Sequence, residues 1–153
     1  MGANYVVKII NNSQTGSQDI VKRTHVLDFD SEDSREKFIR GLRDEYDIIK
    51  DGQNEFSYFN PREDAVSFVS LEECGGNEIS KLDKNQVWSM LYSNKKDCLE
   101  SMVADFKDTA AVKSFMENRS IQDKYTKVLD IRRGLNLYIN DLGVPMYATN
   151  IDI

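Results

Sequence analysis

Apolar and polar positions alternate along Tyr5–Ile10 (YVVKII), which puts Tyr5, Val7 and Ile9 on one face of a strand. A polar turn containing Gly16 leads to Ile20–Phe29 (IVKRTHVLDF), whose β-branched content predicts a second strand, paired with the first as a hairpin. The period then changes. Phe38, Leu42 and Tyr46 recur at every fourth position with Ile39 beside them, the buried stripe of a helix. It starts at Asp30 or Ser31, where Asp30, Glu32 and Asp33 set negative charge against the positive end of the helix dipole. Gly41 weakens the helix by about 1 kcal/mol relative to alanine, which is explained if the helix closely approaches a strand there. After Asp51-Gly52, two more strands are predicted, Glu55–Phe59 (EFSYF) and Ala65–Leu71 (AVSFVSL), on either side of the Asn60-Pro61 turn.

Beyond the Cys74–Asn77 loop the spacing becomes helical. Val87, Met90 and Leu91 form one stripe; Leu99, Met102, Val103 and Phe106 a second; Val112, Phe115 and Met116 a third; Ile121, Tyr125, Val128 and Leu129 a fourth. Asp83, Asp108 and Ser120 serve as caps, and Arg132, Arg133 and Gly134 close the last helix. Alternation returns in Leu135, Leu137 and Ile139, followed by a turn at Asn140–Gly143 and a strand over Val144–Thr149; the rival is a helix running on to Leu142. The pattern predicts a single α+β domain. An antiparallel β-β-α-β-β sheet occupies residues 1–73, a cluster of three to four helices 78–133, and a C-terminal hairpin 135–150 returns to the sheet. No repeat of fixed period is visible.

Composition narrows the function classes. The chain has 153 residues, 20 basic and 26 acidic, for a net charge of −6. Residues 1–76 hold 9 basic and 15 acidic residues and carry all of that imbalance; residues 77–153 hold 11 of each. An acidic field repels phosphate and attracts basic surfaces, so direct nucleic-acid binding by the first half is disfavoured. No stretch approaches the ~18 apolar residues of a membrane span, and Met1–Ile10 lacks the long apolar region of an export signal. A cytoplasmic protein is expected, in the host cytoplasm if viral, with Cys74 and Cys98 as reduced thiols. Alanine is scarce while Ile, Asn and Lys are abundant, as in AT-rich coding sequence such as that of many bacteriophages.

Few constellations carry chemistry. Asp28-Phe29-Asp30 ends a strand with two carboxylates that could converge on Mg²⁺. Haloacid-dehalogenase-type phosphatases open this way, but Ser31-Glu32 replaces the small residues that follow, and the doubly wound pattern is missing. Glu63 and Asp64 would have to complete a palm-like metal site, and helix capping by a solvated acidic turn accounts for the motif more simply. His25, the sole histidine, lacks metal-ligand spacing with either cysteine; pairing with Cys74, beside Gly75-Gly76, or with Cys98 would need a tertiary coincidence. Lys113–Arg133 is the one basic stretch. Lys124, Lys127, Arg132 and Arg133 would serve a helix-turn-helix bent at Asn118-Arg119, although Glu117, Asp123 and Asp130 interrupt the face. Tyr58 and Trp88 are aromatic anchors of the kind that interfaces use, weighed against ordinary core packing.

By elimination the expectation is a non-enzymatic acidic module with no cofactor. It would occlude a basic surface on a protein partner, with Asp28, Asp30, Glu32 and Asp33 for steering and Tyr58 and Trp88 as anchors. Immunity proteins and phage inhibitors of host defence, anti-CRISPR proteins among them, act in this way. The alternatives are a metal-dependent phosphoryl-transfer or nuclease-like enzyme using Asp28 and Asp30, and a nucleic-acid binder using residues 113–133.

Overall fold

A computed structural model describes residues 5–12, 19–62, 64–72, 82–93, 98–122, 124–132 and 135–151. In chain order these form β1 (Tyr5–Asn12), β2 (Ile20–Phe29), α1 (Glu32–Glu45), β3 (Ile48–Lys50), β4 (Glu55–Asn60), β5 (Ala65–Glu72), β6 (Gln86–Ser93), β7 (Cys98–Phe106), α2 (Thr109–Gln122), β8 (Tyr125–Arg132), β9 (Leu135–Asn140) and β10 (Pro145–Thr149). The ten strands make one antiparallel sheet in the order β3-β4-β5-β1-β2-β7-β6-β10-β9-β8.

That order is the same from either edge to the middle. Each half is a β-β-α-β-β-β unit, and the two units meet where β2 pairs with β7. A shift of 77 residues carries α1 (from Glu32) onto α2 (from Thr109). It also carries the caps onto each other: Ser31 Oγ accepts from Ser34 N, and Asp108 Oδ1 from Ala111 N. The Phe29–Phe38 rings lie 5.3 Å apart and their equivalents Phe106–Phe115 5.2 Å. From Lys22↔Asp105 to Phe29↔Cys98 the paired residue numbers add to 127, so the same shift maps the ladder onto itself and leaves His25↔Met102 in place. A pseudo-two-fold axis passes through that pair, perpendicular to the sheet.

The axis puts both helices on one face, here called the helix face. Continuing ladder by ladder, Val7, Leu27, Phe29, Phe56 and Val69 of the first lobe correspond to Val87, Ala104, Phe106, Tyr138 and Tyr147 of the second. All ten are buried, five in the core under α1 and five in the core under α2. One packing solution is used twice. Its trace in the sequence is faint: Val26-x-Asp28-Phe29 and Phe38 recur as Val103-x-Asp105-Phe106 and Phe115.

β1, β2, α1, β4 and β5 lie where the pattern places them and the short β3 is additional, but the helical cluster does not exist. Residues expected in helices from Asp83, at Leu99–Phe106 and after Ser120 are strands β6, β7 and β8, and α2 alone is helical. The molecule is mainly β. The reason is burial on both faces. Val87 and Trp88 are both buried, as are Val103 and Ala104, because α2 covers one face and a third cluster (Leu82, Trp88, Val103, Leu135 and Ala148) the other. A strand buried twice loses its alternation, and its apolar residues then fall at helix-like spacings. In β8 the cause is exposure: it is an edge strand with residues 126–130 exposed, and Tyr125 turns inward, donating its hydroxyl to the Met116 carbonyl. At the β9–β10 turn Asn140 Oδ1 accepts from Leu142 N and Val144 N, and Gly143 takes the left-handed φ of +81°.

Gly41 makes no close approach. It is exposed on α1, and a Cβ there would meet nothing within 4 Å. Gly41→Ala is therefore expected to raise the unfolding free energy by about 0.5–1 kcal/mol in urea denaturation. Phe29→Ala and Phe106→Ala, equivalent sites in the two lobes, should each lower it by about 3–5 kcal/mol.

Candidate functional site

The sheet face away from the helices differs between the lobes. In the first lobe its cross-strand rows are Ile10–Phe68–Ser57 and Lys8–Ser70–Glu55. Phe68 is 49% exposed, and Phe59, on the same face of β4, 44%. Beside them lies a hollow of about 730 Å³, lined by Ile10, Phe68, Ser57, Ser70, Glu55 and the turn at residues 50–54. Arg43 of α1 anchors that turn. Its guanidinium pairs with Asp51 Oδ1 at 2.6 Å, donates to the Gly52 carbonyl at 3.3 Å and sits 4.3 Å over the Phe56 ring. Gly52 is required because a Cβ would stand 2.7 Å from the Glu55 carbonyl oxygen.

The second lobe explains why the hollow is there. The residues equivalent to Lys8, Glu55 and Ser70 are Trp88, Leu137 and Ala148, which belong to or pack against the third core cluster. Where one lobe builds a core, the other has polar side chains and leaves Ile10 half-buried and Phe68 half in water.

Charge gathers in the same lobe. Residues 28–64, running from the end of β2 through α1, β3 and β4, hold 12 acidic and 6 basic residues, a net −6 that equals the charge of the whole chain. Asp28 is exposed on the open face, in the row Leu99–Asp28–Val6–Glu72. Asp30, Glu32 and Asp33 are exposed at the corner where β2 enters α1.

The two expected anchors are not on any surface. Tyr58 is 3% exposed and lies under α1, stacked on Tyr46 at 4.4 Å; Trp88 is 6% exposed within the third cluster. Phe59 and Phe68 stand out in their place. Their signal was the strand alternation itself: Phe56 and Tyr58 take the helix face, so Phe59 takes the other, as Phe68 does between Ser67 and Val69.

The remaining candidates find other settings. His25 is half-buried on the helix face, its Nδ1 3.1 Å from Glu100 Oε1. Cys98 is buried, and Cys74 lies outside the described residues. Among the described residues no group of three or more His, Cys, Asp or Glu side chains is arranged to hold a metal ion. The helix-turn-helix is not formed: Asn118 and Arg119 lie inside the continuous helix α2, and Lys124–Arg132 leads into and forms β8. Of the helices described, none is long and apolar enough to cross a membrane. Comparison with protein-family models, curated proteins and solved structures finds no match.

Burial raises the Tyr58 phenol above its usual value near 10, partly opposed by the Ser67 hydroxyl and helped by Tyr46 and Glu45. The folded protein therefore holds this proton more tightly than the unfolded chain. The stabilisation is complete below about pH 10 and is lost as pH rises through the folded value. Urea denaturation repeated from pH 8 to 11 should show this alkaline loss in the native protein and less of it in Tyr58→Phe.

Proposed function

We propose that the protein is a non-enzymatic binding module that inhibits or neutralises a protein partner by covering a basic, apolar-tipped surface. What carries the reading is the first lobe's open face, where Phe68 lines a hollow of about 730 Å³ with Asp51 and Glu55 on its rim and Phe59 is exposed on the same face. The whole net charge of −6 lies in residues 28–64, a segment that includes the hollow's wall at 50–57. Each part has a separate role. Carboxylates steer a cationic segment into encounter, and the aromatic rings hold it once water leaves the interface. The occupant that fits is a polypeptide segment with a lysine or arginine beside apolar side chains. It would supply in trans the apolar layer that the second lobe supplies for itself.

The test uses the full chain with a photo-crosslinking residue at the half-buried position Val66, beside Phe59 and Phe68, to capture and identify the partner in the native cell. Association is then measured with the purified pair. Asp51→Lys with Glu55→Lys should lower k_on by about 10-fold or more at low salt and flatten its ionic-strength dependence. Reversal of Asp28, Asp30, Glu32 and Asp33 should act in the same sense. Phe68→Ser should chiefly raise k_off, by about 10-fold or more. Unchanged rates in all three variants would reject this face as the docking surface.

A further inference from the structure

Two neighbouring residues in the β3–β4 turn are each fixed by the fold, and side by side they make a reactive step. At position 52 only glycine fits, because a Cβ would stand 2.7 Å from the Glu55 carbonyl oxygen. At position 51 a carboxylate is used, because Arg43 closes the turn on it. Nη1 donates to Asp51 Oδ1 at 2.6 Å and Nη2 to the Gly52 carbonyl at 3.3 Å, while the guanidinium lies 4.3 Å over the Phe56 ring. The result is Asp51-Gly52, the sole Asp-Gly step in a chain that has no Asn-Gly. A glycine amide is the least hindered nucleophile that a preceding carboxyl side chain can meet, since no side chain shields it.

Both reacting groups are open to water. The Asp51 side chain is 63% exposed, and residues 51–53 are exposed between β3 and β4. Among the described residues nothing accepts from the Gly52 N–H. Asp33-Ser34 is the contrast: that step lies inside α1, and its Ser34 N–H is held by Ser31 Oγ at 3.2 Å. The turn also carries a restraint. The Arg43 guanidinium holds an oxygen of the electrophilic carboxyl and the carbonyl of the nucleophile's own residue. It therefore limits rotation about the Asp51-Gly52 link and keeps the carboxylate in an ion pair, from which no oxygen departs as water.

We propose that Asp51-Gly52 is a site of spontaneous isoaspartate formation, with Arg43 as the positioning residue that slows it. The Gly52 amide nitrogen bonds to Asp51 Cγ. The amide proton and the carboxyl OH leave as water, and a succinimide ring closes. Water then adds to one of the two ring carbonyls. Breaking the nitrogen–Cγ bond restores aspartate. Breaking the bond from nitrogen to the Asp51 backbone carbon leaves the chain running through Cβ and Cγ, one methylene longer, with the carboxylate on Cα. The water lost is regained, so mass is unchanged and no oxidant or reductant takes part. The carboxylate is drawn back from Arg43, and the turn that bounds the hollow loses its clamp. The modification stands on the turn alone; its effect on partner binding rests on the docking reading.

The test incubates the full chain at physiological temperature and pH in water labelled with heavy oxygen, followed by peptide mapping with electron-transfer fragmentation. Labelled oxygen should enter the carboxyl group of residue 51, and isoaspartate should accumulate there ahead of every other residue. Arg43→Gln should speed both by about 2–5-fold, the factor that an exposed ion pair supplies. In urea the native and variant chains should react at one rate, which separates the clamp from any other effect of the substitution. Asp51→Glu, whose ring would be one atom larger, should abolish both signals. If Arg43→Gln does not fold, Arg43→Lys, which keeps the charge but not the forked contact, is read in its place, with a smaller acceleration. Isoaspartate absent from residue 51 in both the native chain and the Arg43 variant, an earlier appearance at another residue, or equal folded-state rates with and without Arg43 would overturn the site.

Discussion

The β2–β7 ladder is the contact on which the rest of the molecule depends. It joins two β-β-α-β-β-β units edge to edge through nine residue pairs, from Ile20↔Phe106 to Phe29↔Cys98, with His25↔Met102 at its centre. Without it each unit would end in a long open edge strand, a template for association with other chains. With it, the edges of the whole sheet are β3, only three residues long, and β8, which carries irregular register and exposed charge. The ladder also decides where the helices go. A two-fold axis normal to the sheet keeps α1 and α2 on the same face, and each buries its apolar residues against the sheet of its own lobe.

The internal repeat shows where the two lobes differ. Two inner-core pairs are identical, Val7 with Val87 and Phe29 with Phe106, while others trade volume, Leu27 for Ala104 and Val69 for Tyr147. The first lobe loses its apolar layer on the open face, where Lys8, Glu55 and Ser70 stand for Trp88, Leu137 and Ala148. The second gives up aliphatic residues on the helix face, where Ser89, Ala104 and Arg119 stand for Ile9, Leu27 and Leu42 beside the larger Tyr147. Each deviation has an intact counterpart 77 to 82 residues away, which separates a hollow from a mere packing fault.

Electrostatics follow the same partition. The lobe with the open aromatic face carries the net charge, while the other is neutral overall. Surface charge of this kind does little for stability, since exposed ion pairs contribute about 0–1 kcal/mol. Its physical effect is on encounter, within the Debye length of about 8 Å in physiological salt. Arg43 is the exception. Bound to Asp51, the Gly52 carbonyl and the Phe56 ring at once, it uses a charge to hold a turn in shape at the edge of the hollow.

Elements whose surroundings are local could be read from the residues alone. β1 and β2 alternate, α1 shows its stripe and its Ser31 cap, β4 and β5 flank an Asn-Pro turn, and Asn140 and Gly143 make a turn by their own chemistry. The acidic corner from Asp28 to Asp33 was equally plain, because charged side chains stay in water wherever the chain goes. The tertiary structure alone decided the rest. Whether Val87 and Trp88 belong to a helix or to a twice-covered strand depends on α2 and on Leu135 and Ala148, which stand far along the chain. The burial of Tyr58 and the exposure of Phe59 and Phe68 follow from which face the helix occupies. The repeat, and with it the hollow, is carried by register and packing geometry, which tolerate nearly any apolar residue of suitable volume and so leave few letters in common.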